Sequence, residues 1–161
     1  MTNIFPSDVG VTQVRGFVKI IREHGGAMEM AQLAEETGED IDKLLPIIKA
    51  LKMLGIVTTK KDLVMLTKEE AHAKSIHQYA ASKLPSIEPF KGLIQALRIS
   101  PERTLNTDSL IYTLSGNGIR VAEPELANRE TLKKMLLHWC IRSKILKYNS
   151  KEDLWTLTKA D

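Results

Sequence analysis

Leu54-Gly55-Ile56-Val57-Thr58-Thr59-Lys60-Lys61-Asp62-Leu63-Val64-Met65-Leu66-Thr67-Lys68 returns near the end of the chain as Ser143-Lys144-Ile145-Leu146-Lys147-Tyr148-Asn149-Ser150-Lys151-Glu152-Asp153-Leu154-Trp155-Thr156-Leu157-Thr158-Lys159, with two residues added in the turn. Both copies share Asp-Leu-x-x-Leu-Thr-Lys. Each follows a long amphipathic run and reads as a helix end, a short strand, a polar turn and a second strand. That is the ending of a winged helix-turn-helix module. The repeat therefore predicts a mainly α chain with small β wings, arranged as tandem winged helix-turn-helix modules. Module one, with a connecting helix, takes residues 1–84, and module two takes 85–161. Function follows less directly, because such a scaffold can bind DNA, bind protein or join larger parts.

Upstream of the first copy, Val14, Phe17, Val18 and Ile21 recur at helical spacing, and Gly25-Gly26 supplies a stop. A short second helix is expected across Met30, Leu33 and Ala34, ending near Thr37-Gly38. The third is expected to begin among Glu39, Asp40 and Asp42, whose charge suits a helix N-terminus. It should bury Ile41, Leu44, Leu45, Ile48 and Leu51. Pro46 lies inside that run and removes one amide donor. After the wing, Thr67-Lys68-Glu69-Glu70 fits a capping box for a helix running toward Lys83, and Pro85 and Pro89 mark the join.

The second module repeats the order. Phe90, Leu93, Ile94 and Leu97 read as a first helix, and Leu110, Ile111 and Leu114 as a second, closed by Gly116-Asn117-Gly118. A loop through Pro124 precedes a third helix capped by Asn128, with Leu132, Met135, Leu136, Trp139, Cys140 and Ser143 on its buried face.

Composition narrows the function. The 161 residues carry 23 Lys and Arg against 20 Asp and Glu, so the molecule as a whole is no strongly cationic nucleic-acid binder. Residues 1–84 hold 11 of each sign, while residues 85–161 hold 12 basic and 9 acidic side chains. No apolar stretch approaches the roughly 18 to 20 residues that cross a bilayer, and the N-terminus lacks a basic and apolar leader, so a cytoplasmic protein without membrane insertion is expected. A single cysteine, Cys140, rules out an intrachain disulfide framework.

Catalytic chemistry has little to build on. Of the four histidines, only His72 and His77 are close, and a spacing of five puts them on different sides of a helix. Cys140 beside Trp139 reads as a small packed hydrophobe. Gly25-Gly26 lacks the Lys-Ser/Thr that follows a phosphate loop, and Gly116-Asn117-Gly118 follows a helix where a nucleotide motif follows a strand. Glu35-Glu36 and Glu39-Asp40 read as solvated charge. The chain is thus expected not to be an enzyme, with no catalytic, metal or cofactor residues.

Nucleic acid is the rival ligand. Carboxylates at the leading end of module one's third helix oppose entry into a groove lined by phosphate. Module two presents Arg129, Lys133, Lys134 and Arg142 along its third helix, with Lys144, Lys147 and Lys151 near the wing, which is the better footprint.

Gly25-Gly26, Leu33-Ala34-Glu35-Glu36, the run from Asp42 through Leu44-Leu45-Pro46 to Leu54-Gly55, Asp62-Leu63-Val64-Met65-Leu66-Thr67 and Leu137-His138-Trp139 resemble the C-terminal AAA-associated domain family. Its members stand behind the ATPase of ABC transporters of the nitrate, sulfonate and taurine type. The chain departs from the family pattern at Lys68 and Glu70, where a proline and a glycine are usual, and at Cys140-Ile141-Arg142, where Gly-Arg-Tyr is usual. The resemblance implies a non-catalytic regulatory or assembly module whose protein partner is an ABC-type ATPase on a separate polypeptide, with weak or no nucleic-acid binding. The alternative is a DNA-binding transcription regulator that uses module two.

Overall fold

A computed structural model describes residues 4–67, 76–116 and 129–158. The chain is mainly helical, with two small three-stranded antiparallel sheets. It divides into two compact units, Val9–Tyr79 and a second that joins Met1–Asp8 to Ala80–Asp161.

In the first unit, α1 (Val11–Glu23) buries Val11, Val14, Phe17, Val18 and Ile21 as one stripe. It stops where Gly25 and Gly26 take φ of 83° and 96°, values that side-chain-bearing residues rarely adopt. A three-residue strand, β1 (Ala27–Glu29), leads into α2 (Met30–Thr37), closed by Gly38 with φ of 70°. Next comes α3 (Ile41–Met53), which continues across Pro46 and forgoes one amide bond there. Strands β2 (Val57–Lys60) and β3 (Leu63–Leu66) then form a hairpin, and β1 pairs with the far edge of β3 to give the order β1-β3-β2. Met28, Val57 and Val64 carry the sheet into the core.

One expectation is corrected here. Ile41 and Leu45 do not join the buried face of α3, being 44% and 46% exposed, and Ile47 and Ala50 are buried with Leu44, Ile48 and Leu51 instead. The sequence run is so rich in apolar residues that more than one stripe fits it, and packing decides which is covered.

A helix α4 (Ile76–Lys83) ends the first half of the chain. The expected capping box over Thr67 to Glu70, and His72, lie largely or wholly outside the described residues.

The second unit repeats the sequence of elements. α5 (Phe90–Ile99) buries Phe90, Leu93, Ile94 and Leu97, β4 (Thr104–Asn106) follows, and α6 (Thr107–Gly116) buries Thr107, Leu110 and Leu114. The third helix, α7 (Arg129–Leu136), widens into a π-helical turn over Leu137–Ile141. The hairpin of β5 (Leu146–Asn149) and β6 (Leu154–Leu157) closes the unit, with sheet order β4-β6-β5. Leu132, Met135, Leu136, Trp139, Cys140 and Ser143 are all buried, as their spacing predicts. Asn117-Gly118, Pro124 and the expected cap Asn128 lie outside the described residues.

The two repeat copies adopt the same local structure. In the first, the Thr67 amide donates to the Ile56 carbonyl and its hydroxyl reaches the carbonyls of Gly55 and Ile56 at 2.7 and 3.1 Å. In the second, Thr158 makes the same bonds to Ile145 and Lys144, its hydroxyl lying 2.8 Å from each carbonyl. The shared threonine thus fastens the end of the last strand to the turn that follows the third helix, satisfying carbonyls of that turn. Residues 4–8 complete the second unit. Phe5 is fully buried, its amide donates to the Glu88 carbonyl at 2.8 Å, and its ring meets Phe90 and Trp139 edge-on at centroid distances of 5.5 and 4.9 Å.

Candidate binding surfaces

The polar centre of the second unit is Asp153, the last residue of the β5–β6 turn, with φ of 54°. Aspartate tolerates this left-handed backbone better than most residues. Its Oδ1 accepts the Thr107 hydroxyl at 2.6 Å and the Tyr148 hydroxyl at 2.7 Å. Its Oδ2 accepts the Arg129 guanidinium at 2.9 Å and the Thr107 amide at 3.3 Å. The Thr107 hydroxyl in turn accepts the indole N–H of Trp155 at 2.9 Å. One carboxylate therefore ties together the starts of α6 and α7 and both strands of the hairpin. Partial burial pushes the Asp153 carboxyl upward, but the hydrogen bonds from Thr107, Tyr148 and Arg129 together outweigh it and hold the group at about 2. The same bond pushes the Tyr148 hydroxyl above its ordinary range.

This cluster decides what several basic residues can do. Arg129 divides its fork between Asp153 and Asp108, the latter at 2.6 Å, so both arms of the guanidinium are engaged within the chain. Lys133 places its ammonium 5.7 Å from the centroid of the Tyr148 ring, which stacks at 4.1 Å on Trp155. Lys134 and Arg142 are exposed and flank His138. Burial, then the charges of Arg142 and Lys134, lower the affinity of His138 for a proton. Lys144, Lys147 and Lys151 are exposed at the helix end, on β5 and in the turn. Successive residues of a strand point to opposite faces, so Lys147 lies on the face of β5 away from Tyr148 and Lys133. The seven basic residues are thus split: Arg129 and Lys133 gather at Asp153 and Tyr148, Lys134 and Arg142 gather about His138, Lys147 faces elsewhere, and Lys144 and Lys151 lie at the helix end and in the turn.

Sequence reasoning missed the Asp153 cluster altogether. Its members come from positions 107, 129, 148 and 153, and no local pattern joins them. In the first repeat, Asp62 uses its backbone instead, accepting the Met30 amide at 2.9 Å.

On the first unit, the outward face of α3 carries Ile41, Asp42, Leu45, Lys49 and Lys52, all exposed, with Glu39 and Asp40 just before the helix. His77 accepts a hydrogen bond from Arg15 at 2.9 Å, and Glu36 lies 3.2 Å from His24. Among the described residues no three His, Cys, Asp or Glu side chains gather as a metal-binding group, and no helix is long and apolar enough to cross a membrane. Cys140 is buried, and burial pushes its thiol far up, out of the reactive range.

Fold and surfaces together define a small, mainly helical protein of two alike modules whose polar clusters brace the scaffold. The chain belongs to the C-terminal AAA-associated domain family, whose sequence model matches residues 31–149. No curated protein matches it in a sequence search. Among solved structures, a chain of an Nse1-Nse3-Nse4 complex is similar at 15% identity over 98% of this chain and 70% of that one, with a TM-score of 0.34, too low to carry an argument about fold or function.

Proposed function

We propose that this protein is a non-catalytic binding module of tandem winged helix-turn-helix design that serves as a regulatory or assembly partner of an ABC-type transport ATPase. The architecture is supported by the order helix, strand, helix, helix, strand, strand in each unit and by the wing-like hairpin that closes it. The ATPase is supported by membership of a family whose domains accompany such enzymes.

The observation that carries binding to protein over DNA is the leading end of α3. There Asp40 and Asp42 stand beside exposed Ile41 and Leu45, a combination that phosphate repels and that a protein surface can cover. In the second unit, Arg129 is held by two carboxylates. The second reading, a DNA-binding regulator, draws on exposed Lys134, Arg142, Lys144, Lys147 and Lys151.

Titration with genomic DNA fragments at fixed salt separates the two. The expected result is weak, non-specific binding, with Kd on the order of 10⁻⁴ to 10⁻⁶ M, together with co-purification of a transport ATPase from the same cell. Selection of one sequence with a nanomolar constant, abolished by Lys133→Glu with Lys134→Glu, would install the regulator instead.

A further inference from the structure

The outward face of α3 has a charge order with an unusual property: it is its own complement. Read along the helix, it runs from Asp42 through the exposed apolar pair Ile41 and Leu45 to Lys49 and Lys52. Helical spacing brings Ile41, Asp42, Leu45, Lys49 and Lys52 onto one side, opposite the buried Leu44, Ile47 and Leu51. When a second copy of this helix is laid antiparallel on that side, Asp42 falls opposite Lys49 of that copy and Lys49 falls opposite its Asp42. Both pairings have the same midpoint, between Leu45 and Pro46. A two-fold axis through that point relates the two pairings, as an isologous interface requires.

We infer that α3 is the contact surface of a homodimer, in which two copies of this chain pack their α3 helices antiparallel. Leu45 meets Leu45 of the second copy at the axis. Ile41 lies along the aliphatic stem of Lys49 of the second copy, whose ammonium reaches out to Asp42. A parallel arrangement would set acid on acid and base on base. A heterologous partner could cover Ile41 and Leu45, but nothing would require it to reproduce this order of charges. The inference rests on the protein-binding reading of this face and names a second copy as its occupant; DNA titration tests that reading apart from the self-association measured below.

A single helix pair buries less surface than a standard stable interface, so the dimer should be weak, with Kd on the order of 10⁻⁵ to 10⁻⁴ M. Sedimentation equilibrium of the 18.1 kDa chain should show a reversible dimer. Leu45→Glu should abolish it without loss of helical circular dichroism, since the side chain is exposed. Asp42→Lys and Lys49→Asp should each weaken self-association at least ten-fold by setting like charges across the axis.

An equimolar mixture of those two variants is the decisive sample. In a heterodimer of one with the other, one pair is charge-swapped and the other is as in the wild type, so both are opposite in sign, and association should return to the wild-type level. Three results would overturn the inference: a wild-type protein that stays monomeric at about 1 mM, a hundred times the tighter expected constant; a folded Leu45→Glu variant that still dimerises; or a mixture that associates no better than its components.

Discussion

Gly55 and Lys144 stand at the same point of the repeat, and both hold a left-handed backbone, with φ of 77° and 62°. At each, the chain leaves its third helix and turns into the hairpin, under the hydroxyl of Thr67 or Thr158. Glycine adopts this conformation at no steric cost, whereas a lysine sets its Cβ against the backbone. Lys144→Gly should therefore stabilise the second unit by up to about 1 kcal/mol, and Gly55→Lys should destabilise the first by about 1 kcal/mol. Urea denaturation of the two variants checks both signs.

The Asp153 cluster should give the second unit a distinct acid limb. The folded carboxyl, held at about 2, lies below its ordinary 3.8, so its contribution is complete above the unfolded value and is lost as pH falls through the folded one. The pH-dependent part amounts to about 2 kcal/mol. Asp153→Asn should lose that advantage at pH 7, and the gap to wild type should narrow as pH falls from about 4 to about 2. Thermal melts across that range measure it. A gap that stays constant with pH would show that the carboxylate's charge is not what the cluster uses.

Cys140 should be inert in the native state. Burial raises its thiol far above neutrality, so a thiol reagent should label it only as fast as the second unit opens. Cys140→Ser should lower stability by roughly 1 to 3 kcal/mol, the cost of burying a poorly paired hydroxyl, and leave binding intact. Loss of binding in a folded variant would contradict the packing role.

Phe5→Ala should be among the costlier single substitutions, at about 3 to 5 kcal/mol, because it empties a fully buried site between Phe90 and Trp139. The loss should fall on the second unit. Tryptophan fluorescence follows it directly, since Trp139 and Trp155 both lie there.

The purified protein should neither bind nor hydrolyse ATP. The glycine pairs lack a following lysine, and Gly25 and Gly26 act as a helix stop with positive φ. Equilibrium dialysis with labelled nucleotide and a turnover assay check both halves of this expectation.

Helices were legible wherever the apolar period was clean, as at Val14, Phe17, Val18 and Ile21, because one stripe alone could face a core. Both hairpins were legible through the repeat. Strands β1 and β4 were not, since three residues are too few to display alternation. Ile41 and Leu45 were read as core, because in so apolar a run the period admits a neighbouring stripe. The candidate surfaces were only half readable. The positions of the basic residues could be counted, but the engagement of Arg129 depends on Asp153 and Asp108, and a one-dimensional pattern does not record contacts between positions 24 and 21 residues apart.

The seating of Phe5 also bears on the order in which the protein can mature on the ribosome. The stretch from Val9 to Tyr79 is contiguous and can fold as soon as it has emerged. Phe5 leaves the tunnel well before its companions Phe90 and Trp139 are made. Phe5 must therefore wait for its ring partners until Trp139 is synthesised, and the second unit closes its core only by reaching back to it.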